Sequence, residues 1–106
     1  MPDFNEMLLK AKEMQAKMKA AQDSIKSIEV EGAAGGNLVK VVLTGSYEIK
    51  SITISEEAKK ETRDIINDLI IAAHNNAKDK LKKKSAEELA KVTGGLDLPF
   101  DLKFPF

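Results

Sequence analysis

The sequence predicts an α+β protein built as helix, three-stranded antiparallel meander and long helix (α-β-β-β-α), and three observations predict it. Apolar residues recur at three-four spacing from Phe4 to Ile28, alternate with polar ones between Leu38 and Ser55, and return to helical spacing after Glu56. Strands of about six or seven residues span roughly 22 Å at about 3.3 Å per residue. At about 1.5 Å per residue, the helical pattern over residues 4–25 would run about 33 Å, and that from residue 56 to about 92 would run about 55 Å. A compact chain of 106 residues has a radius of gyration of about 13 Å. The helices therefore overhang the sheet or find a second copy, and the leftover apolar helix surface implies a dimer with projecting arms.

The first helix is signed at its start by Asp3, a capping residue, with Glu6 at capping-box spacing. Phe4, Met7, Ala11, Met14, Met18, Ala21, Ile25 and Ile28 form a heptad seam that asks for a partner helix. The chain's own second helix and a second copy would each supply one. A short strand is expected over residues 28–31, followed by a glycine-bearing loop from Gly32 to Asn37. That loop lacks the lysine and hydroxyl residue of a phosphate cradle and the Gly-x-Gly-x-x-Gly spacing, so it reads as a hairpin loop. The second strand sets Val39, Val41 and Leu43 against Lys40 and Thr44, with Val42 breaking the polar side. Gly45 and Ser46 turn the chain into a third strand, where Ile52 and Ile54 share a face. Ile49 is out of phase with them, as a bulge or a second contact would require.

Ser55 is placed to cap the second helix, and Glu56 and Glu57 suit its positive end. Ile66, Ile70, Ala73, Ala77 and Leu81 form its stripe, with Ile65, Leu69 and Ala72 beside it. Ser85 with Glu88 repeats the capping-box spacing, so a break and restart is expected there, with Gly94 and Gly95 ending the helix. Residues 1–95 make one domain. The tail, residues 96–106, places Leu96, Leu98, Phe100, Leu102, Phe104 and Phe106 at every second position, separated by polar residues and two prolines. It is read either as disordered or as an extended peptide docked on its own subunit, its dimer mate or another protein.

Composition narrows the function classes. With no cysteine the chain has no disulfide framework, thiolate metal site or thiol nucleophile, as suits a reducing cytosol. Its start carries no secretion-signal pattern, and its longest apolar run, residues 69–73, is too short for a membrane span. His74 is the only histidine; Asp68 and Asp79 lie six residues before and five after it, neither one helical turn away. Nothing pairs a nucleophile with a base, so no enzyme activity and no cofactor or metal is expected.

Basic side chains remain. Lys10, Lys12, Lys17 and Lys19 are diluted only by Glu13, and Lys78, Lys80, Lys82, Lys83 and Lys84 only by Asp79. These patches read either as solvated helix flanks or as phosphate contacts. In the second case lysine without arginine implies point-charge binding, low in sequence specificity and steep in salt. Seventeen basic and seventeen acidic residues cancel, so such binding has to be local.

The order of these pieces resembles the YbaB/EbfC family of small bacterial nucleoid-associated proteins. The resemblance rests on the Met-, Gln- and Lys-rich first helix, residues 38–41 leading to Thr44 and Gly45, and the strand Ile52, Thr53, Ile54. It continues through residues 69–77 and the Pro- and Phe-bearing end. It implies an intertwined homodimer with tweezer-like arms that binds double-stranded DNA with low specificity in the bacterial cytoplasm, at the nucleoid, and affects gene expression. It attributes DNA contact to the two helices, hence to the nine lysines above. For the dimer interface the reading selects Met7, Met14, Met18, Val41, Leu43, Ile70, Ala73 and Asn75. Asn75 fits the Ala-Ala-x-Asn-Asp-Ala signature, whereas Asn76 stands in place of its Asp. The rival from another class is a small dimeric chaperone or adaptor using helical arms and the apolar tail.

Overall fold

The computed structural model describes residues 3–92. They form α1 (Phe4–Lys26), β1 (Glu29–Ala34), β2 (Val39–Thr44), β3 (Ile49–Ile54), a 3-10 turn (Ala58–Lys60) and α2 (Arg63–Val92). The strands make one antiparallel sheet in sequence order, the arrangement expected from the sequence. The helix stop at Gly94 and Gly95, and everything expected of residues 96–106, lie outside the described residues.

Asp3 is extended and caps α1 by accepting the Asn5 N–H at 3.3 Å. Only the last turns of α1 reach the core. Ala21 and Ile25 are buried, while Phe4, Met7 and Leu9 each keep more than half of their surface in solvent. The molecule is accordingly 70 Å long by 23 and 17 Å across, with a radius of gyration of 19.2 Å. The overhang inferred from element lengths is thus present, and the seam is satisfied within one chain only from Ala21 to Ile28.

β1 is longer than its sequence suggests. It runs on through Gly32 to Ala34, leaving residues 35–38 as the loop. Gly32 belongs to the strand because α2 lies directly on it: a Cβ there would overlap the Ala73 carbonyl oxygen and the Ala77 amide nitrogen. The left-handed turn falls to Gly35 and Gly36, at φ +63° and +76°. β2 alternates as expected, with Val39, Val41 and Leu43 fully buried. Its register with β3 slips between Val42 and Leu43, the bulge that brings Ile49 onto the face of Ile52. The opposite face is polar and crossed by ion pairs from Lys40 to Glu31, at 3.7 Å, and from Lys50 to Glu29.

α2 starts later than expected, at Arg63, and measures about 45 Å instead of about 55 Å. Ser55 caps the 3-10 turn instead, accepting the Ala58 N–H at 3.1 Å. Glu61 then takes an extended conformation, and the Thr62 hydroxyl accepts the Ile65 N–H at 3.3 Å to open α2. The expected break at Ser85 does not occur. Ala73, Ala77, Leu81 and Ser85 repeat every four residues, a line that drifts about 40° round the helix per step. It starts on the sheet and ends past it, where α1 packs on α2. A small residue at 85 continues this line, so tertiary packing overrides the local capping signal.

The Ser85 hydroxyl is buried there with no hydrogen-bond partner. Removing an unsatisfied buried oxygen while keeping the side chain small is favourable. Ser85→Ala is expected to raise stability by about 1 kcal/mol in urea denaturation; a loss of stability would show that the hydroxyl is bonded in solution.

Candidate nucleic-acid interface

Ile25 of α1 and Leu81 of α2 both belong to the buried core. From there α1 leads outward toward its N-terminus and α2 toward its C-terminus, in contact with each other. This projecting pair carries the lysines singled out by the sequence. Lys10 and Lys17 are seven residues apart, as are Lys12 and Lys19, so each pair stacks in a column about 10 Å long on one flank of the apolar seam. All four are exposed. Among the described residues none of them lies within ion-pair distance of a carboxylate. Lys82, Lys83 and Lys84 are likewise exposed and unpaired, and successive positions fan about 100° apart round α2.

The nine lysines are not equivalent. Lys78 is half-buried against the body. Lys80 donates to the Glu31 carbonyl oxygen at 3.0 Å, which ties its ammonium to the outer edge of β1. One turn earlier on the same flank, Asn76 accepts the Ala33 N–H at 3.1 Å. These side chains occupy outward-facing backbone groups of an edge strand, a device that blunts the edge. Both asparagines are exposed, and Asn76 is the one of the pair that bonds to the sheet. An amide oxygen serves as acceptor here as a carboxylate would, so the change from the Asp of the signature keeps this bond. The signal available in the sequence was the four-residue spacing of Asn76 and Lys80, which sets them on one helix flank.

The residues selected for a dimer interface divide in the same way. Val41, Leu43 and Ala73 have no exposed surface within a single chain and belong to its own core, so they have none to offer a partner. Met7 is 57% exposed, Met14 is 38% exposed, and Met18 and Ile70 are half-buried. The loop at Gly35 borders a shallow cleft lined also by Asn37, Leu38, Ser55, Glu56 and Glu57, and its two carboxylates repel phosphate. His74 is half-buried on α2, and the described residues hold no cluster of His, Cys, Asp and Glu able to ligate a metal ion. No described helix is long and apolar enough to cross a membrane.

Comparison with known proteins places this geometry. The protein is 46% identical over 107 residues to a nucleoid-associated protein of Mesorhizobium japonicum, with all of both chains covered. Nucleoid-associated proteins of Agrobacterium fabrum and Brucella ovis are 44% and 45% identical over the same full length. In fold it is similar to the crystal structure of an uncharacterized protein from Helicobacter pylori, with a TM-score of 0.71 and 17% identity over 90% of this chain and all of that one. The model of the YbaB/EbfC DNA-binding family matches residues 1–96, and the chain belongs to that family.

Proposed function

We propose that the protein is a homodimeric, nucleoid-associated binder of double-stranded DNA in the bacterial cytoplasm. Residues 1–95 form its DNA-binding domain, and the exposed lysines of the projecting helices contact backbone phosphates with low sequence specificity. By coating or joining duplex segments it affects nucleoid organisation and gene expression. The observation that carries this reading is the set of exposed, unpaired lysines along α1 and at the free end of α2. Zero net charge does not oppose it, because phosphate contact is local: Lys10, Lys12, Lys17 and Lys19 on α1 and Lys82, Lys83 and Lys84 on α2 outnumber the acidic side chains interspersed with them.

Phosphate contact releases condensed counterions, so the affinity constant falls with salt by a power of about 0.9 per contact. Fluorescence anisotropy with random-sequence duplex, at 50 and 200 mM salt, is expected to show binding that weakens by about three orders of magnitude for six contacts per dimer. Binding that does not respond to salt would remove the phosphate mechanism. A chaperone or adaptor reading draws on the exposed Phe4, Met7, Leu8 and Leu9 of α1. Suppression of client aggregation without any DNA binding is the result that would favour it.

A further inference from the structure

α2 accompanies α1 for only part of its length. The seam of α1 is buried at Ile25 and Ala21 and half-buried at Met18, toward the end where the two helices pack together. Toward the N-terminus its exposure rises: Met14 is 38%, Met7 57% and Phe4 71% exposed, with Leu8 at 46% beside them. Helix lengths explain the gradient. α2 continues past Leu81 to Val92, about 16 Å, whereas α1 runs back from Ile25 to Phe4, about 32 Å. About 15 Å of apolar seam, from Met14 to Phe4, therefore extends beyond the end of α2.

We propose that residues 96–106 of the same chain dock along this uncovered part of α1. Chain order delivers them there, because α2 ends at about the level of Met14 and points on over the bare turns. Eleven extended residues reach about 36 Å, ample for a strip of about 15 Å. Their apolar side chains, Leu96, Leu98, Phe100, Leu102, Phe104 and Phe106, suit an apolar strip. Pro99 and Pro105 bar a central place in a sheet, but an extended course over a helix asks for no ladder hydrogen bonds. Asp97 and Asp101 match in sign the Lys10 and Lys17 column that borders the seam. The short link from Val92 also holds these residues at an effective concentration of about millimolar, which no separate chain matches at ordinary dilution. A second α1 fits less well, since it brings Met and Ala against Met and Ala and lysine columns against lysine columns. Docking within one chain stands apart from both the dimeric and the DNA-binding readings.

The chain has no cysteine, so an introduced disulfide can report the contact. Full-length protein carrying Met7→Cys together with Leu98→Cys, Phe100→Cys or Leu102→Cys is oxidised with copper phenanthroline and followed by non-reducing electrophoresis. At least one pair is expected to close a bond within a single chain about tenfold faster than the same tail cysteine paired with Lys59→Cys. That control lies before the start of α2, about 45 Å back along the helix, whereas Leu102 reaches only about 33 Å past Val92. Single-chain closure no faster than in the control overturns the proposal. A bond that forms only between chains, when tagged Met7→Cys protein is mixed with the tail variants, overturns it in favour of a second copy. A second measurement needs no cysteine. Met7→Glu, at an exposed position of α1, is expected to free the tail and speed chymotryptic cleavage after Phe100 severalfold, and an unchanged rate overturns the docking.

Discussion

Gly32→Ala is expected to cost about 3 kcal/mol or more, a fall in Tm of roughly 15 °C for a domain of this size. The added methyl would meet the Ala73 carbonyl oxygen and the Ala77 nitrogen and Cα. These are backbone atoms of a helix, so no rotamer change can relieve the overlap. Either α2 lifts from β1, opening gaps beside Val39, Val41 and Leu81 in the core, or the strand bends away and loses its ladder with β2. Lifting α2 would also stretch the bonds from Asn76 and Lys80 to the β1 edge. Gly36→Ala is the control. Its Cβ would meet nothing within 4 Å, although its φ is +76°, so it should cost only the 1–2 kcal/mol or so of a left-handed alanine. Thermal unfolding of the two variants at equal protein concentration separates close packing from backbone conformation. A Gly32→Ala protein as stable as Gly36→Ala would mean that α2 does not rest on β1 as described.

Gly32 also marks the limit of what the sequence displayed. Periodicity revealed the order of elements because it reports burial: alternation in β2 follows from one covered face, and three-four spacing in α2 follows from one covered stripe. The ends of elements depend on contacts between distant residues, which periodicity does not carry. β1 continues through a glycine because a helix 41 residues later needs room there. Ser55 and Ser85 both bear capping signals, yet the first caps a 3-10 turn and the second is buried in mid-helix. The same holds for the candidate interface. The lysines were visible as a charge pattern, but a pattern cannot show that Lys80 spends its ammonium on the Glu31 carbonyl while Lys17 and Lys19 remain unpaired. Val41, Leu43 and Ala73 looked suitable for a partner because apolar strand and helix positions read alike whether one's own chain or another covers them.

Replacing Lys17 and Lys19 together by Glu is expected to weaken duplex binding by at least about a hundredfold at 0.1 M salt, and equally on every sequence. Each lysine that releases a counterion contributes about tenfold at that salt concentration, and two per chain make four per dimer. The slope of affinity against salt should become shallower by about one for each phosphate that no longer meets a lysine. Stability should hardly change, because both side chains are exposed and unpaired, and surface charges of this kind contribute little to folding. The matched control is Lys59→Glu with Lys60→Glu, which alters net charge by the same amount at the 3-10 turn before α2. If binding follows net charge, both double variants lose affinity alike. If it follows the projecting helices, the control retains nearly all of its affinity and salt slope, even though its Lys59–Glu56 ion pair is gone. Loss on some duplex sequences and not others would point to readout of base edges, and then the exposed Gln15, on the same stretch of α1, would be the next residue to replace.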